Sequence, residues 1–152
     1  MSGEGLTTNN VSDMGTIRDA LAAQIKAVIP ELNTHAYEQD SPPDYPYLDI
    51  ATTPTWNYMQ VLGQGNAYTI DLVVNLLLQV GSTPEGWRTM DMHRCPTGTK
   101  SIKQAIWSDR TLGGKVDDIT VVSSGRPTRN KSRDGALWEF ACEFIVRIRR
   151  TP

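Results

Sequence analysis

The clearest pattern in the chain is a strict alternation of apolar side chains between residues 68 and 80. Every even position carries an apolar side chain, namely Tyr68, Ile70, Leu72, Val74, Leu76, Leu78 and Val80. Alternation with a period of two residues predicts a β-strand that buries one face in a core. The odd positions are polar except for Val73 and Leu77. We therefore expect Val73 and Leu77 to meet a second packing partner, either a helix of the same chain or another subunit.

The end of the chain shows the same alternation. Its apolar positions are Trp138, Phe140, Cys142, Phe144, Val146 and Ile148. This pattern predicts a strand that lies beside the first one. Shorter apolar stretches predict further strands over residues 47–51, 56–62 and 116–122. The turn Gly63–Asn66 predicts a hairpin that leads into the long strand.

Helices are predicted where apolar residues recur every three or four positions or where capping signals occur. The first helix has a capping residue, Ser12 or Asp13, before it and Pro30 after it, and proline would clash with a further turn. The predicted helices cover residues 14–29, 84–94 and 99–109.

Together these elements predict an α+β domain with a single antiparallel sheet of about four strands and helices packed on one side. Residues 1–13 are predicted to be a flexible tail, and residues 14–150 a single domain. The segment from residue 33 to residue 46 is acidic and rich in proline, which favours an extended loop. No apolar run approaches the roughly 20 residues of a membrane helix, so no membrane partner is predicted.

Charge is divided unevenly along the chain, although the formal net charge is only -2. The first fifty residues are mainly acidic, and most basic residues follow residue 87. Such an asymmetry allows the acidic part of one subunit to meet the basic part of another. Two solvated surfaces without any partner explain the same charges equally well.

The sequence predicts no enzyme, no metal and no cofactor. His93 and Cys95 form a His-x-Cys pair, but no second pair stands at a spacing that would complete a zinc site. The segment Gly63–Gly65 resembles part of a phosphate-binding loop, but a strand follows it where such a loop needs a helix. Asp117 and Asp118 are adjacent on a predicted strand and would point to opposite faces.

The segment from residue 125 to residue 135 is basic, has little to bury and is predicted to be a mobile hairpin tip. Its cations are Arg126, Arg129, Lys131 and Arg133. Such a loop can contact phosphate without reading a base sequence. However, the loop contains no aromatic residue for base stacking, and the pI is near 5.6. Protein docking is therefore the favoured use, and nucleic-acid binding is the alternative.

Three segments, in this order, carry a family resemblance. They are the helical segment Ile17–Leu21, the segment Ser101–Asp109 and the segment Thr111–Asp118, which contains Leu-Gly-Gly. This series, with a long strand between its first two members, resembles the tail terminator proteins of long-tailed bacteriophages. The resemblance extends from about residue 14 to residue 149, and its most specific part is the second and third segments. Residues 85–98 depart from the pattern because they are more than a plain strand-to-helix connection needs.

The resemblance implies a structural virion protein that forms a hexameric ring at the head-proximal end of the tail tube. Such a ring ends polymerisation of the tube and offers a joining surface to the head. The implied partners are further copies of the chain, the tail tube protein, the head-tail connector or stopper protein, and genomic DNA that passes through the lumen without sequence readout. Assembly in the cytoplasm of a bacterial host is implied, with no reaction and no cofactor.

The resemblance transfers no individual functional residue, so the interface predictions rest on charge and exposure. For docking to the tube or connector we predict Gly63, Gln64, Gly65, Asn66, Arg126, Arg129, Lys131 and Arg133. For contacts between subunits we predict Asp40, Asp44, Lys100, Lys103 and Arg110. For each of these residues the alternative is an exposed position without a partner.

Three other functions compete with the tail terminator. A head-completion or stopper protein of the same neck has a similar size and no chemistry, but such proteins tend to be barrel-like. A small enzyme or nucleotide-binding domain would need a pocket with convergent polar groups. A nucleic-acid-binding module would use the basic segment and would bind with a steep salt dependence.

Overall fold

The fold is an α+β domain, seen here in a computed structural model that describes residues 13–41, 43–51, 54–58, 68–132 and 135–150. The described helices are α1 (Asp13–Val28), α2 (Thr83–Arg94) and α3 (Ile102–Trp107). The described strands are β1 (Asn33–His35), β2 (Tyr47–Ile50), β3 (Thr55–Tyr58), β4 (Tyr68–Val80), β5 (Asp118–Ser124), β6 (Thr128–Lys131) and β7 (Trp138–Arg150). The predictions for residues 1–12, for Gly63–Asn66 and for Arg133 lie outside the described residues.

Two long strands form the centre of the sheet. β4 and β7 are antiparallel over 13 residues each, from the pair Tyr68 and Arg150 to the pair Val80 and Trp138. β2 and β3 follow one another along the free side of β4. β5 and β6 do the same along the free side of β7, and β1 adds a parallel strand outside β2. Each of the two long central strands, β4 and β7, therefore pairs with two short strands on its outer side.

The predicted sheet of about four antiparallel strands was too small. The described residues form seven strands, and the pairing of β1 with β2 is parallel. β1 has only three residues, all half-buried, so it shows no alternation of apolar and polar positions. It was therefore predicted as part of the loop over residues 33–46.

The segment over residues 125–135 was wrongly predicted as a mobile hairpin tip. Its middle forms β6, which pairs with β7 from Thr128 opposite Ala141 to Lys131 opposite Trp138. All four side chains of β6 are exposed. A strand without a buried face carries no periodic signal in the sequence, and among the described strands β6 pairs only with β7.

One face of the sheet is covered by the helices. The even positions of β4 and β7 point to this covered face, and those from Ile70 to Leu78 and from Phe140 to Ile148 are almost completely buried. α1, α2 and α3 place their apolar residues in the same cluster. At Gly86 of α2 a Cβ would stand 2.0 Å from Cε1 of Phe140, so the absence of a side chain lets α2 lie directly on β7. The helices lie on one side of the sheet, as predicted.

The helix ends differ moderately from the prediction. α1 was predicted over residues 14–29 and spans Asp13–Val28. α3 is shorter than the predicted segment over residues 99–109, because Ser101 caps its start by accepting a hydrogen bond from the main-chain N–H of Gln104 at 3.1 Å. After Trp107 the chain enters a tight turn and does not continue the helix.

Candidate interaction surfaces

The face of the sheet that points away from the helices is called the open face here. It carries the odd residues of β4 and β7, and its centre is apolar because Val73 lies opposite Ile145 and Leu77 lies opposite Ala141. These four side chains are only partly buried. The three described helices all pack on the other face, so none of them covers Val73 and Leu77.

A groove with a volume of about 640 Å³ crosses the open face. Its floor consists of Tyr47, Asp49, Asn75, Leu77, Ala141 and Glu143. One rim is Glu38 and Gln39, which belong to the loop over residues 36–46, called the acidic loop below. The opposite rim is the turn between β5 and β6, which contributes Gly125, Arg126 and Thr128. On this floor Tyr47, Leu77 and Ala141 form an apolar row across three strands, and Asp49, Asn75 and Glu143 form a polar row beside it.

Asp49 is the most buried charged side chain of the groove, with a relative exposure of 8%. Burial raises the pKa of its carboxyl, and the negative charge of Glu38 acts in the same direction. A hydrogen bond opposes this shift, because Nδ2 of Asn75 donates to Oδ1 of Asp49 at 3.0 Å. His35, paired with Asp49 across β1 and β2, also lowers the pKa of Asp49. The groove floor thus holds a carboxylate in a poorly solvated place.

Tyr45 connects the acidic loop to the open face. Its hydroxyl donates a 2.8 Å hydrogen bond to Oε2 of Glu139 on β7, and its ring centre lies 5.2 Å from that of Tyr47. Burial, followed by the hydrogen bond to Glu139, raises the pKa of Tyr45 to about 12. The hydroxyl therefore stays protonated at neutral pH and continues to donate this bond.

Arg18 of α1, on the helix side of the sheet, holds the start of the acidic loop through hydrogen bonds. Its guanidinium is almost completely buried and donates to the main-chain carbonyls of Ala36 at 3.2 Å and Ile50 at 3.3 Å. It also lies 4.8 Å from the ring centre of Tyr37. Burial lowers the pKa of Arg18, and the nearby Tyr37 and Glu38 raise it. Because these carbonyls belong to the loop and to β2, Arg18 helps position the rim of the groove.

A second surface is centred on Trp107 at the end of α3. Nζ of Lys103 lies 4.8 Å and the guanidinium of Arg110 lies 5.0 Å from its ring centre. The indole remains 40% exposed. Arg110 also donates two 2.8 Å hydrogen bonds to the carboxylate of Asp118 on β5. Lys103, Trp107 and Arg110 are called the Trp107 patch below.

The turn after α3 holds this patch in place. The carboxylate of Asp109 accepts hydrogen bonds from the main-chain N–H groups of Thr111 at 3.1 Å and Gly113 at 2.8 Å, and these bonds lower its pKa. Leu112, Gly113 and Gly114 have φ angles of 50°, 69° and 88°. This left-handed backbone explains why Gly-Gly occurs in the segment that carries the resemblance.

A third surface surrounds Trp138 at the start of β7. The guanidinium of Arg129 lies 4.7 Å and Nζ of Lys131 lies 4.9 Å from its ring centre. Nη1 of Arg129 also lies 3.4 Å from the hydroxyl of Thr83 at the start of α2. The absence of an aromatic residue in the basic segment was the argument against base stacking, but the sheet supplies one from β7. These three residues, Arg129, Lys131 and Trp138, are called the Trp138 patch below.

The remaining predicted interface residues are distributed over the molecule. Arg126 lies on the rim of the groove. Asp40 and Asp44 are exposed in the acidic loop, where the main-chain carbonyl of Asp44 accepts a 2.9 Å hydrogen bond from Nδ2 of Asn33. Lys100 forms an ion pair with Glu31 of the same chain. The structure thus brings Lys103 and Arg110 together and leaves Asp40 and Asp44 at the β1 edge of the sheet.

The His93 and Cys95 pair has a structural environment. His93 is buried on α2, and its Nδ1 lies 2.8 Å from the main-chain oxygen of Lys100, so this nitrogen carries the proton and donates. Cys95 is exposed at the end of α2. Among the described residues no group of three His, Cys, Asp or Glu side chains is placed to hold a metal ion. No helix in the described part of the chain is long and apolar enough to cross a membrane.

Sequence reasoning did not identify the groove or the two tryptophan patches. The floor of the groove joins β2, β4 and β7, which are far apart in sequence. The available signal was the polar Asn75 and Asp71 among the odd positions of β4, which indicates a face that is not closed by a helix. Nothing in the sequence indicates that Arg129 and Lys131 lie against Trp138.

No protein-family model and no curated protein matches the sequence. One similar solved structure is a chain from the virion of a native gene transfer agent (GTA) particle. It is 11% identical, and the match covers 92% of this chain and 99% of that chain with a TM-score of 0.40. A similarity at this level carries no argument about function.

Proposed function

We propose that the protein is a structural subunit of a bacteriophage virion that forms a ring at the head-proximal end of the tail tube. The ring ends polymerisation of the tube and provides the surface that joins the tail to the head. The open face is the observation that carries the proposal: Val73, Leu77, Ala141 and Ile145 form an apolar centre that no described helix covers. An unpaired sheet face of this kind suits a subunit whose burial is completed by assembly.

The distribution of charge supports a ring. The acidic loop joins β1 to β2 at one edge of the sheet, whereas α3, which carries the Trp107 patch, packs beside β5 at the other edge. Contacts between two different patches of neighbouring subunits are heterologous, and they generate closed rings when the rotation permits. The resemblance of residues 101–118 to tail terminator proteins agrees with this arrangement and supplies the stoichiometry of six.

The Trp138 patch is the proposed docking surface for the tube or the connector. It is formed by β6 and β7 and is separate from the Trp107 patch, whereas Arg126, which was predicted for the same role, lies on the rim of the groove. In this role the protein catalyses no reaction and needs no cofactor. Genomic DNA passes through the lumen without sequence readout.

Deletion of the gene from the phage, followed by electron microscopy of the particles, tests the proposal. Tails of uncontrolled length that are not attached to filled heads are the expected result. Tails of normal length beside heads that leak DNA would assign the protein to the stopper class. Particles of normal appearance and infectivity would contradict both assembly functions.

A second candidate function is nucleic-acid binding through the Trp138 patch. The observation that favours it is the position of Arg129 and Lys131 against an aromatic ring, since cations beside a stacking platform suit single-stranded nucleic acid. Titration of a fluorescent single-stranded oligonucleotide at several salt concentrations tests it. Binding that weakens steeply with salt and is lost in Trp138→Ala would favour this function, and absence of binding at low salt would exclude it.

A further inference from the structure

We infer that the groove on the open face receives the Trp107 patch of a second copy of the chain. The inference rests on the proposed function, because it names the contact that would join neighbouring subunits of the ring. It assigns a role to two features that the single chain leaves unexplained. These are a concave acidic surface that no described helix covers, and a partly exposed tryptophan with two cations beside its ring.

The groove is concave and partly apolar, and the Trp107 patch offers a large, partly exposed aromatic side chain. The groove is open and has aromatic and aliphatic residues, Tyr47, Leu77 and Ala141, on its floor. Trp107 lies at the end of the short helix α3, and α1 packs against this helix and holds it in position. Nε2 of Gln24 on α1 donates to the main-chain carbonyl of Ile106 at 2.6 Å, which ties the end of α3 to α1. A rigid aromatic anchor in a concave partner surface is typical of the residues that dominate interface energies.

The charges of the two surfaces also agree. The groove has the carboxylates of Glu38, Asp49 and Glu143 against a single cation, Arg126. The Trp107 patch has two cations, Lys103 and Arg110. Arg110 already forms an ion pair with Asp118 of the same chain. Lys103 takes part in none of the ion pairs found among the described residues. Lys103 is therefore the cation that is available to a carboxylate of another subunit.

The position of the two surfaces requires a second copy. The groove opens on one side of the sheet, whereas Trp107 belongs to α3 in the helix layer on the other side. A single chain cannot place its own patch in its own groove. Because the two surfaces lie on opposite sides of the sheet, two copies cannot exchange this contact reciprocally. Its repetition is therefore heterologous, and it closes into a ring when the rotation between subunits permits.

Charge reversal with the purified full chain tests the contact. Glu143→Arg and Lys103→Glu each introduce a like charge into the contact, and both positions are at the surface. We expect each variant to weaken association by about tenfold or more in sedimentation velocity runs over a concentration series. The double variant should regain most of the loss. Arg88→Glu, an exposed position on α2, is the matched control and should leave association unchanged.

The aromatic anchor is tested separately. Trp107→Ala is expected to weaken association roughly thirtyfold or more, as for a central interface residue. Trp87→Ala is the matched control, since Trp87 has a similar exposure but lies on α2. Circular dichroism and thermal melts establish that each variant is folded.

Cysteine cross-linking gives a direct measurement that does not depend on destabilising the contact. In a Cys95→Ser background, a chain with both Glu143→Cys and Lys103→Cys should form, on oxidation, a ladder of covalent oligomers that ends at the ring size. Each single cysteine variant alone should remain monomeric on a denaturing gel, and a mixture of the two should give only a dimer. Efficient dimers from Glu143→Cys alone would mean that two open faces meet, which overturns the inference.

The remaining outcomes separate the inference from the proposed function. An oligomer that tolerates all of these substitutions and gives no ladder would overturn the inference and leave the ring intact. A chain that stays monomeric over the whole concentration series and gives no ladder would also overturn it. In that case the tail length of the deletion phage would still decide the proposed function independently.

Discussion

The two faces of the sheet are built from the same strands but have different surroundings. On the covered face, pairs such as Val74 with Phe144 and Leu76 with Cys142 are almost fully buried beneath three helices. On the open face, the residues between them are half-buried or exposed and include the ion pair of Asp71 with Arg147. The even residues of β4 and β7 therefore contribute to the buried core, and the odd residues of the same strands form a solvated, partly apolar surface.

This difference separates the stability of the single chain from its assembly. Burial of apolar area is the main favourable contribution to folding, so the covered face should account for most of it. The open face contributes less because water still reaches it. Its groove and its apolar centre are instead available to a partner, and substitutions there should change association more than folding.

The largest contrast is expected from two adjacent leucines. Leu76→Ala removes a completely buried side chain and is expected to lower the free energy of unfolding by about 2–5 kcal/mol, because it leaves a cavity. Leu77→Ala on the open face should lower it by only about 1 kcal/mol, since that side chain is half-buried. Urea unfolding of both variants at a concentration where the chain is monomeric measures the two values.

Equal losses for the two leucine variants would contradict the distinction between the faces. The same pair also tests assembly, because Leu77 lies on the floor of the groove. Leu77→Ala should therefore weaken association more than its effect on folding suggests.

The close approach of α2 to the covered face gives the next effect. In Gly86→Ala the new Cβ would overlap the ring of Phe140, and we expect a loss of about 1–3 kcal/mol. This outcome has the opposite sign to the gain of about 1 kcal/mol that alanine normally brings to a helix. Gly81→Ala, where no atom lies within 4 Å of the added Cβ, should stay within about 0.5 kcal/mol of the parent chain. Stabilisation by Gly86→Ala would show that α2 can move away from β7.

A pH-dependent effect of intermediate size is expected from His93 in the helix layer. Burial lowers the pKa of His93, although its hydrogen bond to Lys100 raises it. The unfolded chain therefore binds a proton near pH 6.5, and the native chain does so only at lower pH. Stability should fall as the pH drops below about 6.5 and level off below the native pKa. Thermal melts from pH 7.5 to 5 measure this slope, and in His93→Gln the part of it that comes from His93 should disappear.

The smallest effect is expected from an ion pair on the open face. Nε and Nη2 of Arg147 donate to the carboxylate of Asp71 at 2.8 and 3.1 Å, but the arginine side chain is about half exposed. Exposed pairs contribute little, so Arg147→Gln should change the Tm by at most about 3 °C. The change should shrink further in 1 M salt. A large, salt-independent loss would mean that this end of the open face is less solvated than its exposure indicates.

Much of the fold follows from local patterns in the sequence. The prediction for the strand over residues 68–80 matches β4 residue for residue, and the segment that ends the chain forms β7. α1 and α2 also lie close to their predicted bounds. In each case the side chains of one element carry a period of 2 or 3.6 residues, or a proline or capping residue marks its end. The short strands β1 and β6 lack such a period because neither has a buried face.

The candidate surfaces depended much less on local patterns. Lys103, Arg110, Arg129 and Lys131 were predicted from the sequence as interface cations, and Val73 and Leu77 were predicted to meet either a helix of the same chain or another subunit. The sequence did not indicate that Arg110 joins Lys103 at Trp107, that Arg129 and Lys131 share Trp138, or that the floor of a groove combines residues from β2, β4 and β7.

There is a physical reason why the elements of the fold were easier to predict than the candidate surfaces. Hydrophobic period, capping and proline act within a few residues, so the long strands and the helices could be predicted from local patterns. The register of β7 on β4 brings residues up to 82 positions apart into contact, from Tyr68 to Arg150. The floor of the groove, which joins β2, β4 and β7, and the position of the acidic loop at its rim depend on such distant pairings, which no local pattern in the sequence encodes.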